Sequence, residues 1–223
     1  MNRAVYISFV TCFADKFLRK GRKYDAALDG AREVFLRDGF EGATVDDIAR
    51  AGGVSKATLY RYFPDKSQMF VAVLAKECER QSSLIDADPD PDAPVVEVIA
   101  ALCREMMGFL ISDAALDMFR AVIADVSRFP ELGRDFYDQG PAQMHQTLVA
   151  FLTCDRLRDE LDIDDPDLAA EQLKMLCHVD IFLKKIFGIR TEPTQADIDR
   201  VANSAAQMFV ARYGRQALRA AAE

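Results

Sequence analysis

The sequence predicts an all-α fold. Apolar residues recur at i, i+3, i+4 spacing through most of its length, as one buried helix face requires. Helix-start residues (Thr44, Ser55, Pro141, Pro166) and helix-stop residues (Gly39, Gly188, Gly214) bracket those periodic stretches. No strand-like alternation bounded by turn signals competes with them. With 223 residues, half of them hydrophobic, the chain can bury a sizeable core.

The elements follow in order. Residues 24–38 place Ala27, Leu28, Ala31, Val34 and Phe35 on one face, and Gly39 ends that helix because it tolerates positive φ. Thr44 reads as an N-cap with Asp47 three residues on, opening a short helix over 45–51. Gly52-Gly53 makes a tight turn, and Ser55 caps a helix over 56–63 whose Leu59 and Phe63 share one face. Pro64 stops it, and a helix over 65–81 follows with Met69, Phe70, Val73 and Leu74 inward. Residues 86–94, with three prolines among aspartates, read as a loop. Further helices are predicted over 95–111, 114–128, 132–138, 141–155, 166–187 and 195–213, with an acidic loop at 159–165.

Charge divides the chain unevenly. Of 28 Lys/Arg and 36 Asp/Glu, residues 1–82 hold 14 and 11, which leaves 14 and 25 for the rest. A mildly basic end can meet phosphate while an acidic remainder stays solvated. Residues 4–14 loosely resemble a secretory leader, but no small-x-small cleavage site closes them, so residues 1–18 read as an N-terminal extension. Cys12, Cys78, Cys103, Cys154 and Cys177 are odd in number and contain no C-x-x-C pair, which argues for reduced thiols in a cytoplasmic protein. No run of about 18 apolar residues suggests a membrane span. With two histidines, no phosphate loop and no nucleophile–base set, no enzyme, metal or cofactor is expected.

Two short helices joined by a glycine turn and backed by a longer helix make a helix-turn-helix. Its second helix must be narrow and exposed to enter a major groove. Lys56, Ala57, Thr58, Tyr60, Arg61 and Tyr62 point outward there, where Lys, Thr and Tyr reach phosphates and small Ala57 permits close approach to base edges. Lys66 lies in the first turn of the next helix, at an end suited to an anion.

The string GFEGATVDDIARAGGVSKATLYRYFPDKSQMF, with the helix before it, closely resembles the DNA-binding domain of TetR-family regulators over residues 22–74. That resemblance implies a dimer, release of operator DNA on ligand binding, and DNA contacts from Thr44, Val45, Lys56, Ala57, Thr58, Tyr60, Arg61, Tyr62 and Lys66. Gly52 stands where the family more often has alanine, and Ala57 where it more often has glycine. Arg19-Lys20-Gly21-Arg22-Lys23 resembles the basic arm often found ahead of this domain. The C-terminal half resembles the AefR-like group through residues 119–141 and 165–188.

The resulting division is an extension at 1–18, a DNA-binding domain at 19–66, and a ligand-binding and dimerisation domain at 67–223. Met106, Phe109, Leu110, Met118, Phe119, Ile123, Phe136, Tyr137, Met144 and His145 are the candidate effector contacts, an adaptable apolar set with few polar tips. Leu173, Leu176, Phe182, Met208 and Phe209 are the candidate dimer contacts. The expected protein is a homodimeric repressor whose partners are double-stranded operator DNA and a small apolar or amphipathic effector. The alternative is a helical dimeric small-molecule-binding protein without DNA-binding activity.

Overall fold

A computed structural model describes residues 21–82, 93–189 and 192–215. The readings of residues 1–18, and of the loop at 86–94 apart from its last two residues, lie outside them. The described chain is all-α: α1 Arg22–Gly42, α2 Val45–Ala51, α3 Lys56–Tyr62, α4 Lys66–Ser82, α5 Val95–Leu110, α6 Asp113–Asp125, α7 Pro130–Gln139, α8 Pro141–Leu152, α9 Asp155–Arg158, α10 Pro166–Cys177, α11 Ile181–Ile186 and α12 Gln195–Tyr213. Among the described residues the one β-type pairing is an isolated bridge between Leu161 and Gly214.

The chain divides into two compact units. The first contains α1 to α4, α7, most of α6 and the start of α8. Its core is the buried face of α1 (Tyr24, Ala27, Leu28, Ala31, Val34, Phe35) with Ile48, Leu59, Phe63, Met69 and Phe70. Gly39 has φ 70°, so α1 kinks there and continues for one more turn instead of ending. Helix α1 lies so close to the α2–α3 turn that a Cβ on Gly30 would stand 2.2 Å from the Gly52 backbone nitrogen. A Cβ on Gly52 would in turn meet the Ala26 carbonyl oxygen at 2.6 Å. That contact leaves no room for a side chain at Gly52.

The segment joining α6 to α7 is part of this unit. Phe129 packs edge-on against Phe40 at 5.6 Å, within a ring cluster that includes Phe35 and Phe70. Arg128 pairs with Glu41, and the Ser67 hydroxyl donates to Asp135 at 2.7 Å. Pro130 opens α7 where the sequence predicts a start at 132.

The second unit contains α5, most of α8, α9 to α12 and the start of α6. Helices α5 and α12 pack along each other, and Arg104 ties them by donating to Asp199 and Asn203. Helix α10 covers both, burying Ala169, Ala170, Leu173 and Cys177. Cys103 and Cys177 meet there as free buried thiols. Their hydrogen bond and their burial push the Cys177 thiol far above its ordinary value, which leaves it inert.

The single helix predicted over 166–187 is two helices. The backbone leaves helical geometry at Asp180, whose φ is 67°. Asp180 is held there by ion pairs from Lys184 and Arg200 on two different helices. The helix predicted over 141–155 likewise stops at Leu152, and α9 makes a separate turn.

Candidate nucleic-acid interface

Local chemistry builds the helix-turn-helix. The Thr44 side chain accepts from the Asp47 amide at 3.1 Å, and the Ser55 hydroxyl accepts from the Thr58 amide at 3.1 Å. Each bond satisfies an amide left over at a helix start. Between the caps, Gly53 takes φ 58°, and the Val54 amide bonds back to the Ala49 carbonyl. Leu59 and Phe63 are buried, which turns the opposite face of α3 outward.

That outward face carries Lys56, Ala57, Tyr60 and Arg61 exposed, with Thr58 and Tyr62 partly covered. The Tyr62 ring meets Tyr24 edge-on at 5.3 Å, and Arg61 donates to the Tyr62 hydroxyl at 3.1 Å. Burial, with a smaller contribution from Asp25, pushes the Tyr24 phenol up to about 12. Thr44 is exposed and Val45 partly so at the start of α2. The structure therefore brings eight of the nine predicted DNA-contact residues to the start of α2 and the free face of α3.

Lys66 is the exception. Its ammonium donates to the carbonyls of Phe40, Ala43 and Glu41 at 2.7, 3.1 and 3.3 Å and lies 4.6 Å from the Phe40 ring centroid. It closes the corner between α1 and α2, supplying the cation that the last carbonyls of a helix prefer. Desolvation lowers its pKa. The sequence places Lys66 at a helix start, and that position alone does not reveal carbonyls contributed by residues more than 20 positions earlier.

Two carboxylates of α2 shape the field. Lys56 pairs with Asp46 at 2.7 Å, a bond that raises the Lys56 pKa. Arg50 pairs with Asp47 at 2.6 Å. The Thr44 hydroxyl, then Arg50, hold the Asp47 carboxyl below its ordinary value.

The candidate effector contacts divide between the two units. Met106, Phe109, Leu110, Met144 and His145 are in one, and Met118, Phe119, Ile123, Phe136 and Tyr137 in the other. Met106, Met118 and Met144 are buried, whereas Ile123 and Tyr137 are 59% and 58% exposed. Phe119 and Phe136 stand 6.5 Å apart. His145 hydrogen-bonds Asp167 through Nε2 at 2.8 Å, while its Nδ1 lies 3.1 Å from a Glu171 oxygen without making a hydrogen bond. Sequence reasoning passed over Glu105, a buried carboxyl on α5 that desolvation raises to about 7.

Of the candidate dimer contacts, Leu173 and Phe209 are buried within the chain, Leu176 and Phe182 are half-buried, and Met208 is 58% exposed. The apolar groups left outward on α10 and α11 are Leu168, Met175 and Leu183, with Val179 between the helices.

Comparison with known proteins agrees with this geometry. Residues 27–73 match the family model for bacterial regulatory proteins of the tetR family, and residues 97–215 match that for the AefR-like transcriptional repressor C-terminal domain. The chain belongs to the TetR family. An HTH-type transcriptional repressor of Mycobacterium tuberculosis is 27% identical over 186 residues, 79% of this chain and 89% of that protein. The solved structure of the flavonoid-responsive regulator FrrA is 31% identical and superposes with a TM-score of 0.72, covering 87% of this chain and 98% of that one. A TetR-family regulator of Mesorhizobium loti is 26% identical with a TM-score of 0.70, covering 86% and 97%. Among the described residues no helix is long and apolar enough to cross a membrane, and no group of three or more His, Cys, Asp or Glu could hold a metal ion.

Proposed function

We propose that this TetR-family protein is a homodimeric, sequence-specific repressor with an AefR-like sensor half, released from its operator by a small apolar or amphipathic effector. The outward face of α3 carries the reading. Lys56, Thr58, Tyr60 and Arg61 project from a helix anchored by buried Leu59 and Phe63, as groove entry requires. Repression and a flavonoid-sized effector are supported by the relatives, one a repressor and another flavonoid-responsive. Dimerisation is supported by the outward stripe of Leu168, Met175, Val179 and Leu183, together with Met208 on α12. Each such side chain contributes about 1.5–3 kcal/mol when buried.

Titration of the purified chain against duplex DNA from upstream of its own gene tests the reading, with a random-sequence pool beside it. Tight binding to a site of inverted symmetry is expected; Tyr60→Ala should weaken it, and Arg61→Ala should lower the log–log salt slope by about one unit. Flavonoids and other apolar compounds that raise the melting temperature should then dissociate the complex, and DNA should weaken their binding by the same factor. Leu183→Glu should shift sedimentation toward the monomer. Failure to bind either DNA would leave a dimeric ligand-binding protein instead.

A further inference from the structure

The recognition motif holds little free positive charge. Residues 44–66 contain four cations: Arg50, Lys56, Arg61 and Lys66. Arg50 is tied to Asp47, Lys56 to Asp46, and Lys66 to three carbonyls. Among the described residues Arg61 alone of the four has neither a carboxylate nor a backbone carbonyl as partner, donating only to the Tyr62 hydroxyl.

The Asp46–Lys56 pair lies on the face that meets DNA in the proposed function. Both side chains are open to solvent, Asp46 at 63%, and Asp46 follows Thr44 and Val45 at the start of α2. An ammonium has three N–H donors. One points to the Asp46 carboxylate at 2.7 Å, which leaves two for another acceptor. The pair is neutral as a whole, so its attraction for the phosphate backbone is largely cancelled, while its hydrogen-bonding capacity remains. Phosphate contacts supply affinity for any sequence, and base-edge contacts supply discrimination.

We propose that Asp46 is a specificity-determining residue: by pairing with Lys56 it removes a non-specific phosphate contact and aims the remaining Lys56 donors at acceptors on a base edge, such as guanine O6 and N7. The inference rests on the DNA-binding reading above. A bare carboxylate at this position also repels backbone phosphate, so any sequence that draws Lys56 away from Asp46 is penalised twice.

The test uses the full-length protein and its Asp46→Asn and Asp46→Ala variants, titrated with the operator and with random duplex over a range of salt. Both variants should bind random DNA more tightly, and their salt slope should steepen by about one unit as Lys56 gains a phosphate. The operator-to-random affinity ratio should fall about tenfold, within the range of one lost base contact. Adding Lys56→Ala to Asp46→Asn should return the slope to that of the unmodified protein. Melting curves should be nearly unchanged because Asp46 is exposed. Unchanged slope and ratio in both variants overturn the proposal. So does weaker operator binding at constant slope, which would make Asp46 itself the base contact. If the unmodified protein binds no duplex at all, the DNA-binding reading fails, and that result is seen before any variant is made.

Discussion

Two turns in this molecule solve the same problem by different means. Between α2 and α3 the backbone takes positive φ at Gly53, 58°, and between α10 and α11 it does so at Asp180, 67°. At the first turn the backbone conformation and the caps are supplied locally: glycine provides the positive φ, and Thr44 and Ser55 cap the flanking helices within three residues. At the second there is no glycine, and the strained aspartate is held by Lys184 on α11 and Arg200 on α12. Strain of this kind persists only where surrounding structure over-determines it. The first turn can therefore be read from a short string, and the second cannot.

The largest effect should come from crowding the first turn from outside. Gly30→Ala drives a methyl group into the Gly52 backbone, with neither backbone able to yield cheaply. We expect a loss of about 3 kcal/mol, or roughly 10 °C in melting temperature, together with loss of DNA binding. A variant that melts like the parent would show that α1 can move away from the turn.

Lys66→Ala comes next. Its three carbonyl contacts involve a charged donor, so removal should cost about 2 kcal/mol. The salt slope of DNA binding should stay where it is. A lower slope with unchanged stability would make Lys66 a phosphate contact after all.

Glu105 provides a pH test within the second unit. Burial raises its carboxyl from the ordinary 4.5 to about 7, so between those values the folded state holds a proton that the unfolded chain releases. Stability contributed by this group is complete below pH 4.5 and falls as pH rises to 7. The fall should be roughly 1.5 kcal/mol, allowing for the solvent its carboxyl still meets. Glu105→Gln should flatten the stability profile over that interval in chemical denaturation. An unaltered profile would mean the carboxyl is well solvated.

The smallest effect concerns the second turn. Asp180→Gly relieves the positive φ but loses both ion pairs, whereas Asp180→Ala loses the pairs and keeps the strain. The alanine variant should be less stable than the glycine variant by about 1 kcal/mol. Equal stability would show that the backbone relaxes to continuous helix once the carboxylate is gone, which a small gain in helical content by circular dichroism would accompany.

The sequence by itself determined the helical class, the ends of α2 and α12, and the outward face of α3. Those features depend on caps, glycines and 3.6-residue periodicity, which act within one or two turns of chain. Tertiary structure decided what distant partners control. It engaged the Lys66 ammonium with three backbone carbonyls, broke the helix at Asp180, and buried the Glu105 carboxyl. It also assigned Leu173 and Phe209 to the chain's own core while leaving Met175, Leu183 and Met208 outward. An apolar residue at helical spacing marks a face that must be covered, and only packing determines whether the cover comes from the same chain.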